Sequence, residues 1–556
     1  MNKKNLTIKE TFALAIQNHQ NNNFKIAEDF YKEILEKNPN HFESIFLLGS
    51  LSIQIKNFDT AIQLLNKAIQ IKPDHANAYH NLGLVFKILG KLQEAMNYCQ
   101  KAIQIKPDHA EAYNNLGLIF IELREFQKAV SCYQKVIQIH PNHAGAYNNL
   151  GAAHKELEEF NKAISCYQKA IQIKPDHANA YHNLGLVFKI LGKFKDATNC
   201  CQKSLKHEPK NLITLYDLSE LKEEVLDLNL KNRINKIMDS NDCTKKNLAY
   251  GNFLLAKYEL RAKNYNKEFN YLLKGHQCYF ESESKNFNKG IEYWLNELPK
   301  TKELFNFNKF NKNIKKINYK IKPIFIIGFP RCGSTLVEKI IASGQKYIST
   351  GEETNILNAL VGQKLQQKKL LNLDIEYFKT RLIENYKQKG LIHEKSDYTF
   401  TDKTLDNFFY IGLIKEIFPN AKVIHCRRNA LSSIMSLLKN NLRVVSWAHN
   451  LEHIFKFFDI YYQTIQKFKK IYPNFIYELE YEKLVSDPEI VSKKLMKFCD
   501  LAWDKKCLEF YKRKDLISQT ASNVQIRKAI YKDSIKKYLP YKQFLSKYGD
   551  KYFWFN

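Results

Sequence analysis

The stretch Lys322–Gly344, KPIFIIGFPRCGSTLVEKIIASG, decides how the C-terminal part of this chain folds. Ile324-Phe325-Ile326-Ile327 reads as a short buried strand. Gly328 and Gly333 bound a tight loop, and Ser334–Ala342 opens a helix that ends at Gly344. A strand, a glycine-bounded turn and a helix N-terminus in that order converge backbone N–H groups on an anion. Arg331, inside the loop, adds a guanidinium fork for phosphate or sulfonate oxygens.

Upstream of this stretch the chain repeats itself. Pro39, Pro73, Pro107, Pro141, Pro175 and Pro209 lie 34 residues apart, and Gly49, Gly83, Gly117, Gly151 and Gly185 keep the same period. The 20 residues Lys72–Lys91 recur unchanged at Lys174–Lys193. A 34-residue helix–turn–helix period resembles the tetratricopeptide repeat. About six units are expected over residues 6–209, with Pro-Asp or Pro-Asn ending one helix and capping the next. One unit cannot bury its apolar face alone, whereas a stack can. His75, His109, His143 and His177 recur at helix starts, where duplication makes a structural role the better reading than a metal or catalytic one. Asn81, Asn114, Asn115, Asn148, Asn149 and Asn183 fall near the repeat glycine, where they would line the concave face and bond a peptide backbone or water. Residues 210–320 stay helical without the period; Asn247–Tyr279 reads as one divergent helix pair and 300–320 as an Asn- and Lys-rich connector. From residue 321 to 556, apolar strands alternate with helices, as in an α/β domain with a mostly parallel sheet.

The loop spacing is close to that of nucleotide triphosphatases, G-x-x-x-x-G-K-[ST], but Ser334 stands where the lysine would anchor the β- and γ-phosphates. That counts against ATP or GTP hydrolysis. Downstream, Ala421–Asn441 (AKVIHCRRNALSSIMSLLKNN) reads as a strand, Val423–Cys426, followed by a helix. Arg428, with Arg427 beside it, and Ser436 provide a guanidinium and a hydroxyl, the donors that a dianionic phosphate needs.

Pro330-Arg331-Cys332-Gly333-Ser334-Thr335-Leu336 resembles the 5′-phosphosulfate loop of sulfotransferases, and the chain resembles tyrosylprotein sulfotransferases and bacterial proteins that fuse tetratricopeptide repeats to such a domain. The resemblance runs over roughly residues 322–540. It implies that Arg331, Cys332, Gly333, Ser334 and Thr335 hold the 5′ end of 3′-phosphoadenosine-5′-phosphosulfate, and that Arg428 and Ser436 bind its 3′-phosphate. The family often has Arg-Arg-Asp-Pro where this chain has Asn429-Ala430. Thr350-Gly351-Glu352-Glu353-Thr354 matches the segment that supplies the catalytic base, Glu353 here, with His393 and His425 as fallbacks. Thr401–Asn407 resembles Asp-Lys-x-Pro-x-Asn, with Leu405 in place of proline, and implies that Lys403 stabilises charge on the transferring group. Tyr481 would meet the adenosine portion, and Ser522 and Lys536 the nucleotide's phosphates. The implied fold is a tetratricopeptide-repeat solenoid followed by a P-loop-like sulfotransferase domain. The implied reaction moves a sulfonate to a hydroxyl, most naturally a protein or peptide tyrosine, and releases adenosine 3′,5′-bisphosphate without a metal. A glycan or small-molecule hydroxyl, or a non-catalytic nucleotide-binding scaffold, stands as the alternative.

Composition bounds the rest. With 44% hydrophobic residues, most of the chain can fold, and no apolar run approaches the roughly 20 residues of a membrane helix. Eleven Cys without C-x-x-C spacing read as free thiols in a reducing compartment, which places the protein in the cytoplasm. The net charge of +29 is spread over lysine-rich solvated faces and includes no dense Lys/Arg block with interleaved aromatics, so no nucleic acid is expected. The repeat array is expected to hold a protein or peptide.

Overall fold

The computed structural model describes residues 6–300, 321–344, 348–366, 375–392, 398–513, 527–530 and 536–555. The chain packs as two compact units that divide within the last repeat. The connector expected at 300–320 falls, from 301 on, outside the described residues.

Six helix pairs build the N-terminal array, from Ile8–Gln20 with Phe24–Lys37 to Ala178–Ile190 with Phe194–His207. The repeat glycine lets the two helices of a pair touch. A Cβ at Gly117 would lie 2.6 Å from the Tyr133 ring, and one at Gly151 would lie 2.7 Å from the Tyr167 ring. Ala129 and Ala163 are buried at the same crossings.

The helix caps differ from expectation. Each Pro-Asp or Pro-Asn forms a turn, as in the bond from His75 N–H to Lys72 O at 3.2 Å, and is spent before the helix begins. The cap is the histidine that follows. Nδ1 of His41, His75, His109, His143 and His177 accepts the backbone N–H of Ser44, Ala78, Ala112, Ala146 and Ala180 at 3.0–3.4 Å. The asparagines tie neighbouring repeats together. Asn81 donates to Ser50 Oγ at 2.9 Å, Asn149 to Asn114 at 3.2 Å and Asn183 to Asn148 at 2.9 Å, while Asn115 meets His80 Nε2 at 2.8 Å.

In the second unit, helices Lys245–Arg261 and Tyr265–Ser282 form the divergent pair. Among the described residues the α/β part has five strands: β1 (Ile321–Gly328), β2 (Ser349–Glu352), β3 (Tyr398–Lys403), β4 (Lys422–Arg427) and β5 (Ile476–Glu480). They form a sheet in the order β2-β3-β1-β4-β5, with every pairing parallel. β1 is buried along most of its length, as a central parallel strand must be. The helices ahead of the sheet are bonded to the sheet domain: Asp217, on helix Leu212–Leu221, accepts from Arg443 at 2.8 Å, and Glu268 of the pair meets Lys439 at 3.0 Å. His276 donates through Nε2 to Leu438 O at 2.8 Å, and its Nδ1 lies 3.0 Å from His449 Nδ1. Burial lowers the pKa of both imidazoles, that of His276 to about 4 and that of His449 to about 2.

A capping imidazole accepts only while Nδ1 is unprotonated. Burial lowers the pKa of His75, His109 and His177 below the ordinary 6.5. Their contribution is therefore whole above that value and is lost as pH falls through the depressed folded values. His109→Ala should cost about 1 kcal/mol at neutral pH, and His109→Asn almost nothing. The alanine deficit should shrink on acidification, as read by thermal unfolding in far-ultraviolet circular dichroism; a deficit independent of pH would show that the cap does not titrate.

Candidate functional site

From β1, the chain crosses to one side for β2 and β3 and to the other for β4 and β5. Such a reversal opens a crevice beyond the carboxyl ends of the strands. The loop 329–333, Glu353, Thr404, Arg428 and Tyr481 all follow those ends directly.

The loop after β1 closes with Gly333 at φ 93°, the N-cap of helix Ser334–Ala342. A Cβ there would lie 2.3 Å from Tyr481 Cδ2, so glycine is required both by conformation and by contact. Arg331 also holds a left-handed φ of 71°, an uncommon and strained state for a side chain of this size. Its Nε donates to Ser436 Oγ at 3.1 Å, and its carbonyl accepts from Arg428 Nη1 at 3.1 Å. The Arg428 guanidinium lies over the Tyr481 ring at 4.7 Å. Arg331, Gly333, Arg428, Ser436 and Tyr481 are thus drawn together from four separate segments. Two guanidinium groups at the positive end of a helix make a site for an anion with more than one charge.

Ser334 and Thr335 are buried in the first helical turn, whose amides face the helix end. Cys332 turns its thiol into the core beside Cys426, and its N–H donates to Phe329 O at 3.2 Å. Arg427 points elsewhere, donating to Glu478 at 2.9 Å on the surface. Lys536 is exposed, and among the described residues no hydrogen bond or ion pair joins its side chain to the others. Ser522 and His393 lie outside the described residues. His425 is buried in β4 against Tyr461, and burial lowers its pKa to about 3, with Lys469 and Arg427 adding to the shift. It is a neutral core residue, poorly placed to act as a base.

Across β1 lies a charged cluster. Lys403 is 1% exposed and bonds Glu352 Oε1 at 3.1 Å. Burial opposes its charge, but Glu352, Glu338 and Glu353 outweigh burial and hold its pKa above the ordinary lysine value. Glu353 is exposed, with φ 48°, and its N–H donates to Lys403 O at 3.3 Å. Asp402 fixes this arrangement. Its carboxylate accepts from Tyr386 OH at 2.5 Å, Thr354 Oγ1 at 2.9 Å, Thr404 N at 3.1 Å and Asn407 Nδ2 at 3.2 Å. Burial raises its pKa, and these hydrogen bonds oppose the shift.

Sequence reasoning missed Glu338, which is fully buried, accepts from Thr401 Oγ1 at 2.8 Å and lies 3.7 Å from Lys339 Nζ. The signal was available: Glu338-Lys339 interrupts an otherwise apolar helix. Tyr293 was missed as well. It hydrogen-bonds Tyr410, whose hydroxyl donates to Asn358.

The sulfotransferase family profile matches residues 323–505, and tetratricopeptide-repeat profiles match 49–90, 74–142, 108–176 and 142–210. An uncharacterised protein of Aquifex aeolicus (strain VF5) is 31% identical over 329 residues, which is 56% of this chain and 42% of that protein. Protein-tyrosine sulfotransferase A of Caenorhabditis elegans is 22% identical over 204 residues, 33% of this chain and 51% of that protein. The chain spans about half the length of the curated relatives it matches. Solved structures similar to part of it include MamA, with 28% identity over 29% of this chain and 94% of that one at a TM-score of 0.27. Another is YrrB, described as a TPR protein with an unusual peptide-binding site, with 19% identity over 34% and 96% at a TM-score of 0.30. Tetratricopeptide repeats here precede a domain of the sulfotransferase family.

Asp402→Ala would remove the acceptor shared by four buried donors at once. It should lower the stability of the second unit by about 3–5 kcal/mol in urea unfolding. A loss under about 1 kcal/mol would mean that Asp402 does not organise the strand ends.

Proposed function

We propose that this chain, tetratricopeptide repeats joined to a sulfotransferase-family domain, transfers a sulfonate group from 3′-phosphoadenosine-5′-phosphosulfate to a tyrosine hydroxyl of a protein or peptide. The observation that carries the reading is the meeting of Arg331, Arg428 and Ser436 beside the Gly333 helix N-terminus. Like charges repel, so guanidinium groups gathered this way favour a polyanion between them. A nucleotide with phosphate at both its 5′ and 3′ positions supplies one.

In the proposed step a bond forms between sulfur and the acceptor oxygen, and the bond from sulfur to the bridging oxygen of the 5′-phosphate breaks. The electron pair leaves on that oxygen and adenosine 3′,5′-bisphosphate is released. Glu353, exposed at the strand ends, takes the acceptor's proton. Lys403 offsets charge growing on the transferring oxygens, sharing its ammonium with Glu352. Positioning supplies most of the acceleration, as in phosphoryl transfer.

Tyrosine as acceptor rests on the Gly351-Glu352-Glu353-Thr354 match and on the Caenorhabditis elegans relative. The array would hold the polypeptide on its concave face. Its helix asparagines already bond to one another, so a bound peptide would have to share or exchange those amides. No helix among the described residues is long and apolar enough to cross a membrane. A cytoplasmic setting rests on the eleven unbridged cysteines.

Incubation with sulfur-labelled donor and a panel of tyrosine peptides, glycans and simple phenols tests the reaction. Label on a peptide tyrosine is the expected result; label on glycans alone would reject the acceptor, and none at all the activity. In calorimetry, adenosine 3′,5′-bisphosphate should bind at least about tenfold more tightly than adenosine 5′-monophosphate, and Arg428→Ala should remove most of that preference. Equal affinities for the wild-type protein would reject the assignment of Arg428 and Ser436.

A further inference from the structure

Ser436 lies within helix Ala430–Asn440, and that helix is held at both ends. At its start the Asn429 side chain accepts from Ser432 N–H at 3.0 Å, and Asn429 N–H donates to Glu482 Oε1 at 3.0 Å. At its far end it is met by the second helix of the pair Lys245–Arg261 and Tyr265–Ser282, which precedes the sheet. We infer that this pair is a brace for donor recognition: Glu268 and His276 hold the end of the helix and so set Ser436 where it meets Arg331 and the donor's 3′-phosphate. The inference rests on the donor-binding reading above and gives a task to helices that the sequence presents as a lapsed repeat.

The first hold is on a side chain. Lys439 follows Ser436 on the helix, about 4.5 Å further along its axis. Its ammonium is bonded to Glu268 Oε1 at 3.0 Å and to the Tyr541 hydroxyl at 2.8 Å, and it lies 4.5 Å from the centre of the Tyr541 ring. The Tyr541 hydroxyl donates in turn to Glu268 Oε2. Glu268 and Tyr541 are both buried. A carboxylate removed from water needs a cation and hydrogen bonds, and here each of its oxygens has a partner. Such bonds fix a distance and a direction, whereas apolar packing tolerates sliding, so the triad sets both the rotation and the depth of the helix.

The second hold is on the backbone of the same turn. The last four carbonyls of a helix have no partner within it. Leu438 O is one of them, and it accepts from His276 Nε2 at 2.8 Å. With its proton on Nε2, the neutral His276 ring accepts at Nδ1, where His449 Nδ1 donates from 3.0 Å. The Phe253 ring lies 5.0 Å from His276, so both helices of the pair contribute. Just past the helix, Arg443 reaches Asp217 at 2.8 Å and lies over the Tyr250 ring at 5.2 Å. Between these anchors, Asn440 Nδ2 donates to Ser436 O at 2.6 Å, and Ser436 Oγ accepts from Arg331 Nε at 3.1 Å. A serine hydroxyl turns on one bond and takes its aim from the backbone that carries it, so an error in helix placement passes directly to Oγ. Glu268 and His276 act through Ser436 and are positioning residues.

Calorimetry on the full-length protein with two nucleotides tests this. Adenosine 3′,5′-bisphosphate engages Ser436; adenosine 5′-monophosphate lacks the phosphate that would. Glu268→Gln should weaken the bisphosphate roughly tenfold and leave the monophosphate within about twofold. The double variant Glu268→Gln/Lys439→Met removes both charges, leaves neither buried alone, and should show the same loss. Tyr541→Phe deletes one hydroxyl and should lose less than Glu268→Gln. His276→Phe should also lower the preference for the bisphosphate, and His276→Gln, which keeps an N–H donor, should retain most of it. Binding of the monophosphate reports that each variant has folded. If Glu268→Gln fails to fold, the double variant and Tyr541→Phe decide. A preference unchanged in these variants, or a loss shared equally by the two nucleotides, overturns the brace and leaves the donor reading standing. No preference in the wild-type protein overturns the brace and the assignment of Arg428 and Ser436 together.

Discussion

The candidate site is organised around a carboxylate that touches no ligand. Asp402 sits near the end of β3 with no solvent exposure, and burial alone would favour its neutral form. Four donors from three segments answer it: Tyr386 from a flanking helix, Thr354 from the turn after β2, and Thr404 and Asn407 from the turn after β3. Backbone pairing in a parallel sheet aligns strands but leaves their ends loose, and loose ends cannot hold reactive groups in register. Asp402 ties two of those ends together. Through Thr354 it sets the loop that presents Glu353, and through Thr404 it sets the peptide that follows Lys403. The rest of the charged cluster depends on that knot.

Buried charge continues inward from there. Glu338, Lys339, Glu352 and Lys403 form a network of opposite signs under the crevice. Burial alone drives the Glu338 carboxyl toward its neutral form, while Lys403 and Lys339 pull it back. A network of this kind seldom adds net stability over an apolar core of equal volume. Its consequence is directional: the β3 side of the crevice carries carboxylates, while the β4 side carries the guanidinium groups of Arg331 and Arg428. A donor rich in phosphate and an acceptor giving up a proton would each meet the charge suited to it.

Much of this was legible in the sequence, and for identifiable reasons. The glycine-bounded loop after β1 and both its glycines could be read because strand, turn and helix are contiguous over Ile321–Ala342. Arg428 and Ser436 lie on one strand–helix unit, so their spacing is meaningful before any folding. The β2–β3 cluster was harder to see. Glu352 meets Lys403 only because β2 pairs with β3, 51 residues on in the chain. The meeting of Arg331 with Ser436, 105 residues apart, likewise needs β1 beside β4. Helix caps failed at a finer scale. Pro-Asp carries the usual composition of a cap, yet the turn it makes moves the first helical residue one place along, and the imidazole inherits the role.

The array carries a consequence at the level of inheritance. Its identical segments, Lys72–Lys91 and Lys174–Lys193, stand three 34-residue periods apart and fold into the same helix, Ala76–Ile88 and Ala178–Ile190. Identical stretches invite unequal exchange between gene copies, which would add or remove three repeats in a single event. The amide bonds of Asn115, Asn149 and Asn183 reach back one repeat and no further, so such an exchange would recreate junctions of a kind already present. An array built this way could lengthen or shorten by whole blocks while the sheet and its charged cluster keep their own contacts.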